Sequence, residues 1–361
     1  MEHLARFRNA SLAKSVVEQI RRVAPSYTVR ICHVCGTHEW IINHYGLRAL
    51  LPKSVELIAG PGCPVCIIPA AEIDEAIKLA LQEDVTIATF GDLIRVPASE
   101  MSLQDAKAQG GDIRIVYSVS DAVKMAARER TRDFVFLAVG FETTAPSTAI
   151  EVLKKPPRNL SFLVSHRLIP PAMELLLGIG DLQIDGFIAP GHVSIIIGMK
   201  PYVMFPRAYR MPTVVAGFEP LDVLFSISML LHQIKNKEAK LENEYNRVVT
   251  WDGNIKAQRI IAQALDIVDG SWRGLGKVPA SALALKEEYS ECNPRCKYNL
   301  RVERSRDLLP GCLCHLVMIG KIKPPECTLF MKECTPEMPR GACMVSTEGT
   351  CCIWAKHTAV K

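Results

Sequence analysis

Short runs of β-branched and aliphatic residues alternate with amphipathic stretches over the first 220 positions of the chain. The runs predict strands at 28–32, 55–59, 85–89, 113–117, 134–139, 160–164, 187–189 and 213–216. Between them, apolar residues recurring at three- and four-residue intervals predict helices at 12–23, 71–81, 121–130 and 171–177. Such alternation argues for βαβ units and parallel sheets. Eight strands suit two small doubly wound domains, dividing near 118–121, better than one large sheet. A (β/α)8 barrel is the rival, but several connections are too short for a crossover helix. After Pro220 the pattern turns mainly helical, at 221–237 and 255–268, and from Leu309 it becomes rich in Pro, Gly and Cys. The expected architecture is α/β: two doubly wound parallel-sheet domains (1–119 and 120–220) flanking a cleft, plus a mainly helical and irregular carboxy-terminal domain at 221–361.

Polar or Gly/Pro motifs follow strand after strand. They are Cys35-Gly36-Thr37-His38-Glu39, Gly60-Pro61-Gly62-Cys63-Pro64-Val65-Cys66, Phe90-Gly91-Asp92, Gly140-Phe141-Glu142-Thr143-Thr144, Pro190-Gly191-His192 and Gly217-Phe218-Glu219-Pro220. Ligands bind at strand carboxyl ends in open α/β sheets, so these loops are expected to converge on the cleft.

The chain has 361 residues, 48% hydrophobic and 22% charged, as in an ordinary globular protein. Its net charge of +5 is too small to argue for a nucleic-acid or membrane surface. No apolar run reaches the span of a bilayer, and the start shows no secretory signal, so a cytoplasmic location is expected. The thirteen cysteines change the picture. In a reducing compartment so many thiols point to metal or redox chemistry rather than to structural disulfides.

Familiar motifs are absent. Gly178-Ile179-Gly180 lacks the third glycine of a dinucleotide loop, and Arg273-Gly274-Leu275-Gly276-Lys277 is no P-loop. His38-Glu39 is followed by His44, about 600° further round a helix, which is wrong for a zincin.

The two amino-terminal CxxC pairs, Cys32/Cys35 and Cys63/Cys66, leave two readings open: a four-thiolate structural zinc site, or redox and catalytic thiols. A thiolate at Cys35, beside exposed N–H groups and the imidazole of His38, also suits a low-spin iron. In the tail, Cys312, Cys314, Cys327, Cys334, Cys343, Cys351 and Cys352 are mostly single and flanked by prolines. That favours an iron–sulfur cluster wrapped by irregular chain, which such a poorly packed segment needs as a staple; zinc stays open as the alternative.

With these motifs, and with Pro190-Gly-His-Val-Ser194, Trp272-Arg-Gly-Leu-Gly276 and Cys343-Met-Val-Ser-Thr-Glu-Gly349, the chain resembles the HypD family over almost its whole length. That family helps build the iron centre of [NiFe]-hydrogenases. The family spacing Cys-x14-Cys-x6-Cys-x16-Cys falls on Cys312, Cys327, Cys334 and Cys351, and the resemblance implies that these hold a [4Fe–4S] cluster. It further implies that Cys35 binds the iron of Fe(CN)2CO, that Cys63 and Cys66 form a redox dithiol, and that a HypC-like chaperone and a HypE-like cyanide donor are partners. His38 is expected to hydrogen-bond a cyanide or the Cys35 sulfur, and Glu348 to relay protons. Cys32 and Glu39 depart from the neighbours expected around Cys35. The competing expectation is a zinc-stapled, non-catalytic scaffold that docks maturation partners.

Overall fold

A computed structural model of the chain describes residues 6–302 and 304–358. Two all-parallel sheets organise it. The first has strand order β2–β1–β7–β8–β9, built from β1 (Val29–His33), β2 (Val55–Ala59), β7 (Gly186–Pro190), β8 (Thr213–Ala216) and β9 (Leu241–Asn243). The second has order β4–β3–β5–β6, from β3 (Val85–Thr89), β4 (Asp112–Ile115), β5 (Asp133–Gly140) and β6 (Leu160–His166). This is the expected α/β class with two parallel sheets, and it excludes a closed barrel.

The division of the chain differs from the expected 1–119 and 120–220. The chain leaves the first sheet after β2, builds the whole second sheet, and returns at β7. The segment 118–121, expected as the division, is a helix start inside the second unit. Ser118 and Asp121 form a reciprocal capping box on the helix Val119–Arg128, satisfying N–H groups that the first turn cannot.

Each sheet is covered on both faces, which is why its strands read as continuous apolar runs. The helices Ala10–Val23 and Pro220–Lys235 pack on one face of the first sheet, around Ile31, Ile188 and Leu224. The second sheet is sandwiched between the Ile87–Val135–Leu163 core and the Phe134–Phe136–Phe162 core. A fourth core joins the units: Cys32, Val34 and Phe187 of the first sheet meet Phe141, Trp272 and the tail residues Val317, Met318 and Met344.

Beyond residue 220 the fold departs once more from expectation. The helix Ile255–Ala264 stops before 268, and an antiparallel hairpin follows, β10 (Leu265–Trp272) paired with β11 (Gly276–Leu285). The β-branched Ile267 and Val268 favour extended chain, and β11 extends the end of β6 through a bridge between Ala282 and Arg167. The tail carries only short helical turns, such as Cys314–Met318 and Ala342–Val345, before the last helix, Thr350–Thr358. Among the described residues no helix is long and apolar enough to cross a membrane.

Candidate functional site

Strand register brings the amino-terminal thiols together. β1 and β2 run in step, with Cys32 opposite Ile58 and His33 opposite Ala59, so the two loops leave the sheet side by side. Val34 N–H still donates to Ile188 O (3.2 Å), extending the ladder to the residue before Cys35. Cys35 is extended (φ −159°, ψ 131°) and precedes the helix Gly36–His44. Gly36 N–H then donates to Gly62 O (3.2 Å), clamping the two loops together. A side chain at Gly62 would lie 2.3 Å from the Cys35 nitrogen, so only glycine permits this approach. Cys63 and Cys66 are joined as a disulfide at the start of the turn Pro64–Ile67, and Cys66 N–H donates to Cys63 Sγ (3.2 Å). The pair is joined and Cys32 is wholly buried against Gly60, so the four thiols do not stand as a four-thiolate set in this structure.

Cys35, Cys63, Cys66 and Glu348 wall one small cavity, with Gly60, Met318, Cys343 and Thr350. Burial pushes the Cys35 thiol up to about 11, although N–H groups of His38 and Thr37 and the Thr37 hydroxyl favour the thiolate. The charge of Glu348 adds to that rise. Desolvation, and then Asp92, raise Glu348 itself above the usual carboxylate range.

His38 sits differently from the expectation. Its ring is fully buried and stacked on Phe218, which in turn stacks on His192. Its Nε2–H donates to Gly217 O (2.9 Å), so the ring ties two strand-end loops together. Burial lowers its basicity to about 3, leaving it neutral, with Nδ1 the ring nitrogen still able to accept a bond.

Glu39 is a buried hub. Its Oε2 lies 2.8 Å from His33 Nε2 and accepts from Arg48 (2.7 Å), while Oε1 accepts from Asn43 (2.9 Å) and from Trp354 of the last helix (2.6 Å). Burial opposes its charge, but Arg48 and His33 outweigh it and hold the carboxylate well below its ordinary range. The Cys35 helix is thereby tied to the helix carrying Cys351. Asp222 accepts from Glu219 N–H (3.0 Å) and so caps its helix, while Glu142 accepts from Ile169 N–H (2.9 Å) and is raised to about 7 by burial.

A second cavity is lined by Cys312, Cys314, Cys327, Cys334 and Cys351 with Leu329, Phe330, Gly341 and Met344. All four cysteines of the family spacing are therefore in one place. Among the described residues no three His, Cys, Asp or Glu side chains converge as a single ion requires. Five thiols round one apolar void form a donor set of the kind that holds an iron–sulfur cluster.

Two thiols that spacing did not select belong to the site. Cys314 lines the second cavity beside Cys312. Cys343 lines the first, and its Sγ accepts from Cys351 N–H (3.2 Å), so it stands between the two. The signal for Cys343 was its place in the Cys343–Gly349 motif; nothing in the spacing marked Cys314. Cys292 and Cys296, at 287–297, line neither cavity.

The cavity around Cys35 is walled by the β1 and β2 loops of the first sheet and by the tail; the loops after β3, β5, β7 and β8, expected to converge on it, do not line it. With the second sulfur-lined cavity in the tail, it defines a protein whose candidate site is built from thiols. The comparisons make this specific. The HypD family model, described as "Hydrogenase formation hypA family", matches residues 11–358. The hydrogenase maturation factor HypD of Cupriavidus necator is 44% identical over 363 residues, 97% of this chain and 96% of that protein. HypD2 of Bradyrhizobium diazoefficiens is 43% identical over 363 residues, 97% and 95% of the two chains. A hydrogenase expression/formation protein of Methanocaldococcus jannaschii is 44% identical over 355 residues, 97% and 98%. The chain belongs to the HypD family of hydrogenase maturation factors.

Proposed function

We propose that this protein is a redox-active assembly scaffold, acting in the cytoplasm, on which the Fe(CN)2CO unit of [NiFe]-hydrogenase is put together. A HypC-like chaperone and a HypE-like cyanide donor are its partners. The iron is cargo, held by the Cys35 thiolate. Cys312, Cys327, Cys334 and Cys351 hold a [4Fe–4S] cluster, which when bound supplies single electrons.

The observation carrying this reading is the common cavity of Cys35, Cys63 and Cys66, joined through Cys343 to Cys351. Burial keeps the Cys35 thiol protonated at neutral pH, so iron must displace a proton to bind. Glu348, on the same wall and more basic than an ordinary carboxylate, is the acceptor for it. Two electrons and two protons convert the Cys63–Cys66 disulfide to the dithiol, which is then available to reduce cargo beside it. His38 and His192, stacked through Phe218, tie the loops at the ends of β1, β7 and β8 to one another.

The test is infrared spectroscopy of the anaerobic complex with its chaperone. Wild type shows CO and CN stretching bands; Cys35→Ala loses them while keeping the iron of the tail. Undiminished bands in that variant refute the anchoring role. A colourless protein with stoichiometric zinc would mean the scaffold alternative instead.

A further inference from the structure

Arg273 is among the largest wholly buried side chains of the protein, with 1% of its surface exposed. Its hydrogen bonds all run to carbonyl oxygens. Nε–H donates to Ile68 O (2.7 Å), and Nη1–H to Pro97 O (2.9 Å) and Asp307 O (2.7 Å). Nη2 is buried and has no partner among the described residues. A guanidinium cannot shed its proton, so this is a fixed positive charge in a dry interior without a paired anion.

Two carboxylates are near enough to act on this charge, but neither forms an ion pair or hydrogen bond with the guanidinium. Asp307 accepts from Ala70 N–H (2.8 Å) and Gly274 N–H (2.9 Å), and Asp74 accepts from Ser99 and Ser305. The remaining acidic neighbours are Cys314 and Cys312. Contact between the segments is direct. Gly274, in the left-handed region at φ +68°, packs so tightly on His315 that a Cβ there would lie 2.6 Å from the His315 Cβ. On its other side, Arg273 N–H donates to Ile67 O (2.9 Å), at the end of the turn that carries Cys66.

We propose that the buried guanidinium of Arg273 is the electrostatic counter-charge of the iron–sulfur centre in the tail, and that it raises that centre's reduction potential. The inference rests on the cluster reading above. A cluster held by four thiolates is anionic, and gaining an electron makes it more so. A fixed cation nearby therefore stabilises the reduced form more than the oxidised form. Because Arg273 lies between the cluster cysteines and the Cys66 turn, its field also covers the path to the disulfide.

The test uses full-length protein purified anaerobically, assayed for iron and sulfide, then titrated against potential with electron paramagnetic resonance detecting the reduced centre. At the midpoint of wild type, Arg273→Gln shows a reduced-to-oxidised ratio about tenfold lower, equal to a shift of about 59 mV for a one-electron couple. Arg273→Lys keeps the charge but not the three carbonyl bonds, and stays within about twofold of wild type. The proposal is overturned if Gln titrates with wild type, or if Lys shifts as far as Gln, since packing would then be the cause. Should Gln fail to fold, Lys alone decides: an unmoved midpoint supports the role and a tenfold change sinks it. Wild type without iron or sulfide refutes the cluster reading itself, a result distinct from an iron-bearing wild type whose Gln variant does not move.

Discussion

The two sulfur-lined cavities are neighbours built by opposite means. Around Cys35 the thiols stand on the ends of β1 and β2, held in register and clamped by the bond between Gly36 and Gly62, and the tail supplies only the facing wall. Around Cys312, Cys327, Cys334 and Cys351 the walls are turns and short helices with few ladder bonds of their own. A site made by strand ends keeps its shape empty; one made by irregular chain depends on what it holds. The difference matches the work proposed for each, since cargo must leave the first while the second stays loaded.

The sharpest way to break this contrast is Cys334→Ser. The expected outcome is loss of nearly all tail iron, with proteolytic cleavage within 312–341 at least about tenfold faster. The first sheet should stay resistant. Full protease resistance of the tail in that variant would show that the irregular region stands without a ligand.

A smaller effect is expected from Gly62→Ala at the rigid cavity. The added methyl meets backbone rather than a movable side chain, so the loops must separate. Unfolding in urea should show a loss of about 2–3 kcal/mol, with tail iron retained. A neutral result would mean that the two loops give way easily.

A pH-dependent effect, no larger than this, concerns Glu142, the neighbour of Phe141 in the joining core. Its folded carboxyl is raised to about 7 by burial, against 4.5 for the free group. Below the lower value both states are protonated, and the ionisation penalty vanishes. Between the two values the unfolded chain ionises first, so folding loses stability as pH rises. Glu142→Gln, which can keep the bond from Ile169 N–H, should therefore leave urea stability little changed at about pH 5 and raise it at about pH 8, by no more than ~3 kcal/mol. Equal gains at both pH values would refute ionisation as the cause.

Much of this was legible in the residues, for reasons that also explain the failures. All eight strands expected before residue 220 exist, with ends within two residues, because strands buried on both faces are unbroken apolar runs. β9, three residues long at an edge, lacks such a run. The start of the hairpin was read as helix because Leu265, Ile267 and Val268 continue the apolar pattern of Ile255–Ala264. Sheet membership was not legible, since β1 pairs with β7 across some 150 positions and no local pattern records that. At the site, loop motifs after strand ends marked Cys35, Cys63 and Cys66. The position of Cys343 between the cavities depends on how the tail folds back, as does the bond of Trp354 to Glu39.

Strand order also bears on the sequence of events during synthesis. The inserted sheet is contiguous, from residue 85 to 166, and can close as soon as that length has emerged. The outer sheet cannot: β1 and β2 are made first but wait for β7 to lie beside them. The loop bearing Cys35 is thus translated early and finished late, so the nascent chain carries this thiol uncovered until more than half of the protein has left the ribosome.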